Sequence, residues 1–320
     1  MKKFLEDLKK ELQKRNLSSE DIEEILADHE EMIQSALAQG LSEEELNSRF
    51  GDPVSLADEL ADTSAERVEA KQAKYDDYQL YKTFLVKSVD LSIESSLVSE
   101  NITYQASEDD SIKVYYQGKS KIDDYEISYQ GNVLKIAAPK KIGFLFMRNI
   151  KDDLNFIVEV PKTSIIKEFT LKGVSSNLKV LNLDSKDFVL STTSGDVTLT
   201  NVKLGTAKWN TVSGDIHVSQ SQIETLTSSQ VSGDLFMNHV VVLGNIRLST
   251  VSGDVKAENA TGKICEFSSV SGDLKGIEFY PTKLTLKSVS GDVTIHNQSE
   301  DKKIEDVKSK SVSGKVVIKN

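Results

Sequence analysis

The sequence is poor in the residues that staple or anchor a fold: its 320 residues include one cysteine, four prolines and one tryptophan. A single cysteine excludes an internal disulfide framework. No stretch approaches the roughly 20 consecutive apolar residues of a transmembrane helix. The N-terminus opens with lysines but continues with Glu6, Asp7 and Glu11 where a signal peptide would carry its apolar core. The expectation is a cytoplasmic chain, membrane-associated at most peripherally, with the cell surface reachable only by a non-standard route. Charge is also unevenly placed. Residues 1–62 hold 17 Asp/Glu and 7 Lys/Arg, and so carry −10 of the net −11. A strongly acidic head on a near-neutral body argues against nucleic acid as a partner.

What the chain does have is a repeat. Ser-Gly-Asp recurs with its glycine at Gly195, Gly214, Gly233, Gly253, Gly272 and Gly291, and returns as Ser313-Gly314-Lys315. The spacings are 19, 19, 20, 19, 19 and 23 residues. A period this short marks a solenoid whose units bury apolar faces against their neighbours. Two residues after each glycine stand Val197, Ile216, Leu235, Val255, Leu274, Val293 and Val316; two before stand Thr193, Val212, Val231, Val251, Val270, Val289 and Val312. A further column holds Phe188, Ala207, Leu226, Ile246, Cys265, Leu284 and Val307. Spacing by two on either side of a glycine corner is strand–turn–strand, with these columns expected to point inward. Val251→Asp is then expected to destabilise the whole array. The fold class predicted is mainly β: a parallel β-helix of ~19–20-residue coils spaced about 4.8 Å apart, with a small all-α domain before it. The Trp209 column and Cys265 are expected to be core.

The domain limits predicted are an acidic helical head over 1–62, a helical linker or cap over 63–82, and the β-helix over 83–320. In the head, Phe4, Leu5, Leu8 and Leu12 lie on one face of a helix over 3–15. Ser18 opens a second helix that Gly40 stops; Ser42 with Glu45 opens a third; Pro53 suits the first turn of a fourth. In the linker, Tyr75, Tyr78 and Tyr81 are expected to pack on the open end of the solenoid. The early part of the β-helix, from residue 83, is expected to be irregular, with a degenerate coil at Ser176-Asn177.

Phe4-Leu5, Leu8, Glu30-Glu31, Gly40, Ser42-Glu43-Glu44-Glu45 and above all Phe50-Gly51-Asp52-Pro53 followed by Ala57 resemble the HAAS-type signalling domain of Gram-positive bacteria. That resemblance implies association with PadR-type regulators and membrane-linked signalling. The Val-Ser-Gly-Asp repeats and the Val160-Pro161 step resemble the bacterial β-strand-repeat adhesin family, which includes envelope-stress proteins of the LiaG and LiaX type. This second resemblance implies a role in envelope stress or surface interaction without catalysis.

Chemistry is sparse. Asp196, Asp215, Asp234, Asp254, Asp273 and Asp292 form a ladder along one edge, which is read as structural, with carboxylates accepting turn N–H groups; a calcium-bridged ladder is the alternative. The serine ladder lacks a nucleophile elbow and a histidine partner. His217, His239 and His296 occupy three different positions of the repeat, so no metal spacing exists, and neither metal nor cofactor is expected. The candidate interaction residues are Glu23, Glu24, Glu30 and Glu31 on the second helix, and Phe144, Leu145, Phe146 and Met147, which lie in an apolar run over 142–147 flanked by Lys140, Lys141 and Arg148. The function expected is a non-enzymatic scaffold or signalling protein of the envelope-stress response. Its partner would be a regulator or another envelope-stress protein, with peripheral membrane contact through 142–147. The alternatives are a surface adhesin or carbohydrate-binding β-helix and, by analogy with pectin-cleaving β-helices, a carbohydrate-active enzyme.

Overall fold

The computed structural model describes residues 2–14, 75, 77–86, 88–139, 154–299 and 302–319, with single positions between 22 and 57. Two compact units divide the chain, Met1–Tyr78 and Gln79–Asn320.

In the first unit, helix α1 spans Lys2–Lys14. Its buried face carries Phe4, Leu8 and Leu12, one helical turn apart, packed with Ile22 and Ala57. Pro53, Val54, Leu56 and Ala57 are helical, and the start of that turn is capped: Asp52 Oδ1 accepts the Val54 N–H at 2.9 Å. The Gly-Asp-Pro signature thus supplies an N-cap followed by proline at the first helical position.

The second unit is a parallel β-helix with an irregular start. Its first strands are β1 (Gln79–Leu85), β2 (Asp90–Ser96), β3 (Asn101–Ser107), β4 (Ser111–Gln117), β5 (Glu126–Gln130), β6 (Val133–Ala137), β7 (Asn155–Pro161), β8 (Ile165–Lys172) and β9 (Leu178–Leu181). Strand β1 pairs antiparallel with β4, β4 with β7, and β5 with β6. The coil made by β6 and β7 stacks in parallel on β2 and β3, which stack on β8 and β9. The stacking order therefore departs from chain order, which no fixed sequence period could reveal. The expected linker helix over 63–82 is corrected at its end, because Gln79–Lys82 lies in β1. The ladder to β4 claims that backbone, and Tyr81 packs edge-on against Tyr116 at 6.0 Å and donates to Asp123 Oδ1 at 3.0 Å.

From β10 (Asp184–Thr192) onward the chain climbs regularly through β11 (Val197–Thr200), β12 (Lys203–Thr211), β13 (Ile216–Gln230), β14 (Leu235–Val242), β15 (Asn245–Thr250), β16 (Val255–Ser269), β17 (Leu274–Ser288), β18 (Val293–His296), β19 (Asp306–Ser311) and β20 (Val316–Lys319). Registers follow the repeat: Val197 pairs with Ile216, Ile216 with Leu235, Leu235 with Val255 and Val255 with Leu274. The lumen is filled by stacked columns, among them Phe188, Ala207, Leu226, Ile246, Cys265 and Leu284, with Trp209 beside them, all buried. A second corner in six successive coils uses a left-handed residue: Asn182, Asn201, Gln220, His239, Asn259 and Glu278 have φ of 50–57°. His239 is therefore a corner residue. Among the described residues β19 and β20 have no strand on their outer side, and exposed Lys308, Lys310, Lys315 and Lys319 line that edge, a charge pattern that opposes edge-to-edge growth.

One expected column is corrected. The valines two residues before each glycine point outward: Val212, Val231, Val251, Val270 and Val289 are 45–49% exposed. Alternation decides this. Leu226, Ser228 and Gln230 face the lumen, so Val231, one residue on, faces out. The inward place is taken by the preceding residue, and where that residue is Thr211, Thr250, Ser269, Ser288 or Ser311 its hydroxyl bonds the corner glycine. Thr211 Oγ1 accepts the Gly214 N–H at 3.2 Å and donates to the Gly214 carbonyl at 3.1 Å; Ser288 does the same for Gly291.

Candidate functional site

Each Ser-Gly-Asp corner is built from three residues with three tasks. The serine reaches back one coil: the N–H and Oγ of Ser213 both donate to the Thr193 carbonyl, at 2.8 and 3.2 Å. Ser232 makes the same pair of bonds to Val212, and Ser271 to Val251. The glycine lies under the coil before it. A Cβ on Gly233 would stand 2.1 Å from the Gly214 carbonyl oxygen, and one on Gly253 2.0 Å from that of Gly233. No side chain fits there without parting the backbones.

The aspartate reaches forward. Oδ1 of Asp215 accepts the Asp234 N–H at 2.8 Å, Asp234 that of Asp254 at 2.8 Å, Asp254 that of Asp273 at 3.0 Å, and Asp273 that of Asp292 at 2.8 Å. The ladder starts earlier than the sequence pattern does. Asn101 Oδ1 accepts the Asn177 N–H, and Asn177 Oδ1 that of Asp196. It ends at Lys315, whose N–H donates to Asp292 Oδ1 at 2.8 Å and whose side chain offers no acceptor. Two unit charges about 4.8 Å apart repel by roughly 0.9 kcal/mol in water, whereas a hydrogen bond to a charged group contributes about 1.5–3 kcal/mol. The bonds outweigh the repulsion. Lysines reduce it further: Lys256 Nζ stands 3.8 Å from Asp234, and Lys275 Nζ stands 3.7 Å from Asp254 and 3.6 Å from Asp273. The carboxylates accept backbone N–H groups, as the sequence suggested, but from the next coil and not within their own turn.

Glu100 occupies the glycine position of an early corner and is buried. Its carboxylate accepts the N–H groups of Val98 and Ser99 at 2.7 and 3.0 Å and the Tyr125 hydroxyl at 2.7 Å. Burial pulls its pKa upward, but these donors, together with the N–H of Glu100 itself, win and hold the carboxyl below its usual range. Sequence reading missed Glu100, Asn101 and the luminal hydroxyls, because their meaning depends on which coil lies next to them.

The remaining candidate groups are scattered. His217 stacks on Phe236 at 4.4 Å with rings 2° from parallel, and Lys256 covers the other face at 4.6 Å; both faces of Phe236 are thus taken, which leaves no platform for a sugar ring. Burial, followed by the neighbouring charge of Glu266, pushes the Cys265 thiol up to about 12, far from the thiolate a nucleophile requires. An open groove of about 780 Å³ runs along the side near Lys162, Ile165, Asp184, Lys203 and Glu224. Of the predicted interaction residues, Glu30 is helical and exposed. Glu23, Glu24, Glu31, Phe144, Leu145, Phe146 and Met147 lie outside the described residues. The flanks of 142–147 are placed: the Ala138 N–H donates to the Ser96 carbonyl and the Asn101 N–H to the Leu154 carbonyl. No helix among the described residues is long and apolar enough to cross a membrane.

A crystal structure titled "Putative lipid binding protein" from Parabacteroides distasonis ATCC 8503 is 21% identical with a TM-score of 0.54, covering 76% of this chain and 98% of that one. A "putative adhesin" from Bacteroides fragilis NCTC 9343 is 18% identical with a TM-score of 0.47, covering 77% and 98%. The first likeness is one of fold. No curated protein matches the chain. The HAAS family model matches residues 3–59, so a HAAS domain stands at the N-terminus. The Toastrack DUF4097 model matches residues 89–319, more than two thirds of the sequence, and the chain belongs to that family.

Proposed function

We propose that the chain is a non-enzymatic scaffold of the cell-envelope stress response. In this reading the acidic head recruits or restrains a regulatory protein, and the β-helix presents a long periodic surface. The observation that carries it is the engagement of the repeat's polar residues with one another. Each serine hydroxyl is turned onto a carbonyl of the preceding coil, and each aspartate Oδ1 onto an N–H of the following one. Those residues build the coil stack. The head's part is supported by its charge and by the HAAS match over residues 3–59.

The test uses the full chain as bait in extracts of cells grown with and without an envelope-directed antibiotic. A regulatory protein recovered under stress, and lost when Glu23, Glu24, Glu30 and Glu31 are changed to lysine, is the expected result. Recovery of the same proteins with and without stress, and after charge reversal, would overturn the reading.

A further inference from the structure

The outward valines form an apolar line along the β-helix. Successive carbonyls at this position accept the serine N–H of the coil above, which fixes the column as Val98, Val174, Thr193, Val212, Val231, Val251, Val270, Val289 and Val312. Eight of these nine residues are valine, and each of the eight is exposed. Nothing in the corner demands this, because Thr193 makes the same backbone bonds. Two residues earlier the outward positions carry Ser191, Asn210, Ser229, Ser249 and Ser268. An apolar line interrupted only at Thr193, among polar columns, is the pattern of a contact surface.

We infer that a second copy of this chain covers the valine column, the two β-helices lying side by side and parallel. Three observations select that occupant. The first is pitch: a surface can mesh with valines about 4.8 Å apart along the whole line only if it has the same repeat, and a second copy has it by construction. The second is area. Eight steps of about 4.8 Å give a line of roughly 38 Å. With its flanking columns, about 15–20 Å wide, it offers roughly 600–750 Å² per copy, close to the ~800 Å² per partner of a stable interface.

The third is charge. The aspartate column runs on one side of the valines; on the other stand exposed Lys172, Lys208, Arg247 and Lys287. A two-fold axis along the β-helix sets each coil against its own counterpart. Lys208 then faces the partner's coil at the height of Asp215, and Lys287 at that of Asp292, while Asp254 keeps Lys275 as its partner within the chain. Glu266, on the same side as the cations, is already paired with Arg247 at 3.1 Å. An antiparallel pair would instead set aspartate column against aspartate column. This inference concerns the β-helix and does not depend on the head's partner, so pull-down through the head can fail while it stands.

The test is the oligomeric state of the full chain by sedimentation from about 1 to about 100 µM. A dimer is expected. Changing Val231, Val251 and Val270 together to threonine should weaken it about tenfold or more while leaving the melting curve at high dilution in place. Single cysteines fix the arrangement, since Cys265 is fully buried and gives no background. Val174→Cys and Val289→Cys should each cross-link to itself under mild oxidation. A chain that stays monomeric, a dimer indifferent to the threonines, or cysteines that cross-link only when the two variants are mixed would each overturn the parallel pair.

Discussion

Replacing Gly233 by alanine tests the close approach of the coils with a single methyl group. Its Cβ would sit 2.1 Å from the Gly214 carbonyl oxygen, against the 3.4 Å or more of an ordinary contact. The obstacle is backbone, so relief requires the two coils to part by more than an ångström at that corner. The Ser232 N–H bond to Val212, 2.8 Å long, and the Asp234 N–H bond to Asp215, also 2.8 Å, lie on either side and would stretch. Overpacking costs about 1–3 kcal/mol, and two weakened bonds add about 1 kcal/mol each, for a total near 3–5 kcal/mol. For a unit of this size, about 2–4 °C per kcal/mol places the loss at roughly 6–20 °C in melting temperature. Thermal melting followed by far-UV circular dichroism measures it. Ser232→Ala is the internal comparison: it removes one exposed hydroxyl bond and should cost at most about 1 kcal/mol. If Gly233→Ala melts within a degree or two of the parent, the steric account of the glycine is wrong.

Val251→Asp should now change stability by no more than about 0.5 kcal/mol in urea at high dilution, because the side chain faces solvent; a collapse of the array would return the column to the lumen. Glu100 has a depressed folded pKa, so its contribution is present above its unfolded pKa of about 4.3 and disappears as pH falls through the folded value. Glu100→Gln should therefore be less stable at neutral pH and flatter in its acid titration; a parallel loss in both proteins down to pH ~2 would contradict the role. Asp52→Ala should cost about 0.5–2 kcal/mol of local helix stability, seen as faster amide exchange at Leu56, while Asp52→Asn should preserve protection.

How much was legible in the sequence depended on whether a feature was local or lay between coils. The period of Gly195 through Gly291 and the alternation around it were enough for a parallel β-helix, because a corner that repeats every 19 or 20 residues must stack. The same alternation does not carry across the corner. Spacing by two from Leu235 and Val255 predicts Val231 and Val251 inward, but the turn between them resets the phase and Gln230 and Thr250 take the lumen. The early coils were illegible for a different reason. Residues Asn101 and Asn177 are 76 apart in sequence yet form one rung, since the coil of β6 and β7 stacks on the outer side of β2 and β3. Glu100 carries no motif at all; the corner N–H groups of Val98 and Ser99 and the Tyr125 hydroxyl, 25 residues away, give its carboxylate a meaning.

The aspartates join successive coils, and Asp215→Asn compared with Asp215→Ala tests that role. Asparagine keeps the Oδ1 that accepts the Asp234 N–H, as Asn101 and Asn177 do on the same ladder at 3.1 and 2.9 Å, and it removes one charge from a like-charged column. Alanine leaves that N–H without its acceptor, at a cost of about 1–3 kcal/mol. The measurement is the melting temperature of both variants and the parent, each with calcium and with chelator. The account predicts that asparagine melts with the parent, that alanine melts several degrees lower, and that neither addition moves any of the three. Asparagine falling as far as alanine, or a parent that chelator destabilises and calcium restores, would contradict it and make the ladder a cation site.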